Sequence, residues 1–104
     1  VHVEDLASAH LAALQDIELG KARAYNVGTG RGTSVREIIE RTRRVTGHAI
    51  PAVEGARRDG DPAELYADPG LIQRELGWRP SHDIDHILKT AWHWHRDHPD
   101  GFEE

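Results

Sequence analysis

Residues 23–42 read RAYNVGTGRGTSVREIIERT, and the fold turns on how this stretch is parsed. Ala24 to Val27 is a short apolar run that leaves into a glycine-rich turn, which predicts a strand. Ser34 and Glu37 are spaced as a capping box, each side chain able to satisfy the other's backbone donor, so a helix starts there. Val35, Ile38, Ile39, Thr42 and Val45 give that helix a core face, and Gly47 supplies its stop. A strand, a glycine turn and a helix form an α/β unit. The strand is expected to belong to a parallel sheet whose other members lie outside this chain.

Working outward, Val1-His2-Val3 reads as extended chain, with Asp5 as the N-cap of a helix carrying Leu6, Ala9, Ala13, Leu14 and Ile17 before Gly20. Downstream, 49–54 (AIPAVE) is a weak edge strand, because Pro51 has no N–H to give to a ladder. Residues 56–68 lack periodicity and are expected to be a loop. Asp68 and Pro69 open a short helix with Leu71, Ile72 and Leu76 inward and Gly77 as its stop. The last helix begins around Ser81 to Asp83 and carries Ile84, Ile87, Leu88, Ala91, Trp92 and His95 before Pro99. Two short strands make a poor sheet on their own. Together with a start at Val1 rather than Met, this predicts a chain cut from something longer.

The 104 residues are of single-domain size, with 38% hydrophobic and 30% charged residues, which predicts a globular chain. Thirteen Lys and Arg against 18 Asp and Glu give a net charge of −5. That balance argues against nucleic acid and anionic membrane as partners. Without cysteine there is neither a disulfide framework nor a thiolate zinc site. No apolar run approaches a membrane span, and the expected compartment is the cytoplasm.

Several patterns invite chemistry. Gly28, Gly30 and Gly32 follow a strand and precede a helix, but their G-x-G-x-G spacing is not the G-x-G-x-x-G of a dinucleotide fingerprint, and a tight turn accounts for them. His93, His95 and His98 lie close in sequence, yet on a helix only His95 and His98 are neighbours, so no metal site is expected there. Ser8, Ser34 and Ser81 lack a nucleophile elbow. Asp59 and Asp61 are paired carboxylates on a solvated loop, where nothing would raise a pKa for acid–base work. Arg57-Arg58-Asp59-Gly60-Asp61 stays open between two readings. It is a solvated loop of weak ion pairs, or a loop whose guanidinium fork grips an anion while Asp61 accepts hydroxyl hydrogens.

VHVEDLASAHLAAL, YNVGTGRGTSVREII, ARRDGDPAELYADP, RELGWRP and TAWHWHRDHPDGF occur in this order. Together they resemble the C-terminal part of the UDP-glucose 4-epimerase family of extended short-chain dehydrogenase/reductases. The resemblance implies an α/β fold class: the C-terminal substrate-binding part of an extended Rossmann-type fold, with helices and two or three short strands, spanning 1–104 as one segment. It implies an isomerase that interconverts UDP-glucose and UDP-galactose by transient oxidation at C4 of the sugar. The NAD site and a Tyr-x-x-x-Lys pair would belong to a missing N-terminal part. Neither Tyr25 nor Tyr66 fits that pair, since Thr29 and Gly70 stand four residues on. No catalytic, cofactor-binding or metal-binding residue is therefore expected here, and the isolated chain is expected to be inactive.

What remains is the substrate side. Arg58 matches an arginine that grips the UDP diphosphate, Asp61 an aspartate that contacts the ribose, and Leu65 a sugar-pocket position where relatives carry Tyr or Cys. A leucine there implies a relaxed pocket. The expected partner is a UDP-sugar, in a homodimeric parent. Alternatives are a segment of a related nucleotide-sugar dehydratase or decarboxylase, and a non-catalytic interaction module.

Overall fold

The computed structural model describes residues 1–102, which form four helices: α1 (Val3–Gln15), α2 (Val35–Thr46), α3 (Gly70–Leu76) and α4 (Ile84–Asp97). Among the described residues there is no strand, which corrects the expected α/β class with two or three short strands. The reason is the hydrogen-bond ladder. A strand is defined by its neighbour, and among the described residues no backbone-to-backbone bond outside the helices involves 22–33 or 51–57. Residues 24–27 still show the two-residue period, with Tyr25 and Val27 half-buried and Ala24 and Asn26 exposed. The pattern of a strand is there without a partner to make it one. The chain divides into two compact units, one made of 1–32 and 62–83, the other of 33–61 and 84–104.

The first unit contains α1 and α3. α1 is rich in Ala and Leu, both good helix formers. Its N-cap is His2, whose Nδ1 accepts the Glu4 N–H at 3.1 Å, so the expected cap at Asp5 is displaced by one turn. α1 closes at Asp16, which leaves Ile17 beyond the helix and exposed. α3 ends as predicted at Gly77, whose φ of 65° is left-handed. At its start the Asp68 carboxylate accepts the Gly70 N–H at 2.8 Å. Ala9, Ile72 and Trp78 form the buried core, flanked by Ala12, Tyr25, Val27 and Leu76. Of the residues expected inward on α3, Ile72 is buried and Leu76 half-buried, while Leu71 is exposed.

The second unit contains α2 and α4. The capping box forms as predicted: the Ser34 Oγ accepts the Glu37 N–H at 3.1 Å, and the Glu37 carboxylate accepts the Ser34 N–H at 2.9 Å. Gly47 closes α2 at φ 73°. Ile38, Ile39, Thr42 and Val45 on α2 are half-buried, as are Ile84, Ile87, Leu88 and Trp92 on α4. Arg41 donates to the Asp85 carboxylate at 3.0 Å, and the Trp92 ring meets His48 edge-on at 5.0 Å. No described residue of α2 or α4 is fully buried, so this unit rests on a half-covered apolar seam rather than a closed core.

Candidate functional site

Residues 57–61 fold into a tight turn in the second unit. The Asp61 N–H reaches the Arg58 carbonyl at 3.5 Å, and Gly60 takes φ 84°, a left-handed value that an L side chain rarely adopts. The turn folds Arg58 onto Asp61, with Nε 3.1 Å from Oδ2. Arg57 donates to the Asp61 carbonyl at 3.0 Å, so the first arginine braces the loop while the second faces outward. The Arg58 side chain keeps 86% of its surface exposed and that of Asp61 50%.

This geometry has a chemical consequence. Asp61 engages the guanidinium through Nε, and among the described residues neither Nη of Arg58 bonds to protein. A fork with two free amino groups is suited to bidentate contact with a phosphate or carboxylate. The ion pair orients the fork without neutralising it in a desolvated pocket, since both partners stand in water. The sequence-predicted Arg58 and Asp61 are thus brought together. Leu65 belongs to the other unit, on an irregular stretch, with 85% of its surface exposed.

The glycine turn is occupied by packing. In the first unit a Cβ on Gly28 would stand 2.8 Å from the Ala67 Cβ, and one on Gly30 3.2 Å from Pro69 Cδ. One on Gly32 would stand 3.4 Å from the Tyr66 ring. Gly28 and Gly30 have little room for a side chain because Ala67 and Pro69 lie against them, and Gly30 also takes a left-handed φ of 69°. Just past the end of α4, His98 stacks on Trp94 at 3.8 Å between ring centroids, with Phe102 4.8 Å from the same indole.

A cluster that sequence reasoning missed lies in the first unit. Asp5, 2% exposed, receives the Ser81 N–H at 2.9 Å and the Ser81 hydroxyl at 2.7 Å on Oδ1, and the His82 N–H at 3.2 Å on Oδ2. The His82 Nδ1 adds a contact to Oδ1 at 3.0 Å. Burial by itself pushes this carboxyl up, but the Ser81 and His82 donors together outweigh it and hold Asp5 well below the usual carboxylate range. These partners are 76 and 77 residues away in sequence, and no local signal links them.

No family model matches the chain. It is similar over its whole length to curated UDP-glucose 4-epimerases. It is 49% identical to that of Lacticaseibacillus casei, covering 98% of this chain and 31% of the relative. For Streptomyces lividans the identity is 45%, covering 100% and 32%, and for Homo sapiens 42%, covering 98% and 30%. A solved UDP-glucose 4-epimerase superposes with a TM-score of 0.91 at 43% identity, over 100% of this chain and 32% of the other. The Bifidobacterium longum enzyme in complex with NAD+ and UDP gives 0.89 at 39% identity, over 98% and 30%. The chain therefore spans about a third of the length of the relatives it matches.

Proposed function

We propose, from the premise that this chain belongs by sequence with the UDP-glucose 4-epimerases, that it is the C-terminal, UDP-sugar-binding segment of such an enzyme. The observation that carries the reading is similarity along the whole chain to an epimerase solved with NAD+ and UDP. In this reading Arg58 grips the UDP diphosphate through its outward fork, Asp61 accepts hydroxyl hydrogens of the ribose, and Leu65 lines the sugar pocket. The parent interconverts UDP-glucose and UDP-galactose and acts as a homodimer in the cytoplasm. NAD supplies the transient oxidation at C4 and is held by residues outside this chain. No helix among the described residues is long and apolar enough to cross a membrane.

The chemistry of the segment is binding and orientation. A diphosphate presents paired anionic oxygens, which a planar guanidinium meets with two parallel N–H donors. The Asp61 carboxylate is acceptor-only and suits a pair of hydroxyls. The exposed apolar side chains of Leu11, Leu14, Ile17 and Leu19 support the view that the segment works as part of a larger enzyme.

The test is a UDP titration of the 104-residue chain followed by NMR. Shifts at Arg58 and Asp61 that Arg58→Ala abolishes are expected. A folded chain whose spectrum ignores UDP would overturn the assignment of these residues. For Leu65, the protein carrying this chain is expected to turn over UDP-N-acetylglucosamine as well as UDP-glucose. Activity confined to UDP-glucose sinks the relaxed pocket.

A further inference from the structure

At the start of α1 three electron-rich side chains meet: His2, which is buried, Glu4, which is exposed, and His82, half-buried on the segment after α3. The ligand atoms they can offer all lie within 4.8 Å of one another. The His82 Nε2 stands 3.3 Å from the Glu4 Oε2, the His2 Nδ1 3.8 Å from the same oxygen, and the two imidazoles 4.5 Å apart.

Hydrogen bonding fixes what these atoms present. The Asp5 carboxylate already accepts three donors from Ser81 and His82, so the His82 Nδ1 that faces it at 3.0 Å must be the protonated nitrogen. The Ser81 hydroxyl, which gives its own hydrogen to Asp5, sits 3.1 Å from that Nδ1 and can accept from it too. In the neutral ring Nε2 then carries the lone pair, aimed at another acceptor, the Glu4 carboxylate. Two acceptors at 3.3 Å require a cation or a second proton between them. A histidine whose far nitrogen donates to a buried carboxylate has the arrangement that orients imidazole ligands in metal sites.

We propose that His82 Nε2, Glu4 Oε2 and a ring nitrogen of His2 form a site for a divalent transition ion of the zinc class. Two imidazoles and one carboxylate are a donor set that zinc accepts, with water completing a tetrahedral shell. Asp5 acts through His82 as a positioning residue. His2 also caps α1 through Nδ1, and one lone pair cannot serve both the Glu4 amide and a metal. Ligation through Nδ1 therefore releases that cap.

The experiment is calorimetric titration of the 104-residue chain with zinc ions alone, with circular dichroism to confirm that each variant is folded. One ion per chain is expected. Glu4→Gln, a change at an exposed position, and His82→Gln should each weaken binding by about tenfold or more. Replacing His93, His95 and His98 together by alanine should leave it unchanged. Histidine-ring NMR should show the His82 Nε2 signal moving on metal addition while Nδ1 keeps its proton. Absence of saturable binding overturns the proposal. So does binding that survives Glu4→Gln, or binding that disappears with His93, His95 and His98. Should His82→Gln fail to fold, Glu4→Gln decides alone.

Discussion

Asp5 and Asp61 make the same kind of contact and do opposite things with it. Asp5 is sealed in the first unit, where backbone and side-chain donors from Ser81 and His82 saturate it. Asp61 stands in water beside one arginine on a turn that Gly60 permits. A buried carboxylate with its donors in place ties together distant parts of the chain, and removing it leaves those donors unsatisfied. An exposed pair contributes little to stability and stays available to a third party. Burial, rather than the presence of an ion pair, separates the structural aspartate from the one offered to a ligand.

The comparison breaks most visibly at Asp5. Asp5→Asn turns an amide donor toward donors and should cost about 3 kcal/mol, measured by urea unfolding. The same residue sets an acid limit. Its folded pKa lies below the unfolded value, so its stabilisation is complete above about pH 3.9 and declines as the pH falls from there. Thermal melts from pH 6 to pH 2 should show that loss, and Asp5→Asn should flatten it. If the two proteins melt in parallel across this range, Asp5 is not the group responsible. A smaller effect is expected at Trp78, whose Nε1 donates to the Ser8 hydroxyl at 2.8 Å. Trp78→Phe keeps a ring in the core and should cost about 1 to 2 kcal/mol for the lost bond and smaller ring. At the helix start of the other unit, Ser34→Ala should cost about 1 kcal/mol. Arg58→Ala should change stability by less than about 0.5 kcal/mol while removing the response to UDP. A large unfolding effect there would make Arg58 a structural residue and undo the contrast.

Local chemistry was legible in the sequence, and distant pairing was not. The capping box at Ser34 and Glu37 and the stops at Gly47 and Gly77 follow from rules that span three or four residues, and each formed where expected. The turn at 57–61 was readable as a loop for the same reason. The strands were read from a pattern that ladders normally complete, and no partner ladder forms among the described residues. Asp5 looked like an N-cap because an acid before an apolar helix usually is one, but the cap went to His2 and Asp5 went to a segment at the far end of the unit's sequence. Of the candidate site, the proximity of Arg58 to Asp61 was implicit in their three-residue spacing. The His2, Glu4 and His82 cluster had no sequence signature at all.

The contact between Gly28 and Ala67 also constrains how this sequence can drift. Gly28 has no left-handed φ, so its backbone would tolerate alanine; the obstacle is the Ala67 methyl 2.8 Å from where the new carbon would sit. The two positions share room for a single methyl group. Gly28→Ala should therefore be harmful alone and partly rescued by Ala67→Gly, with the Ala67 carbonyl at 3.3 Å still exacting a residual cost. Across descendants of this sequence, the two sites should exchange their methyl in step, so that 28 and 67 covary as a pair separated by 39 residues.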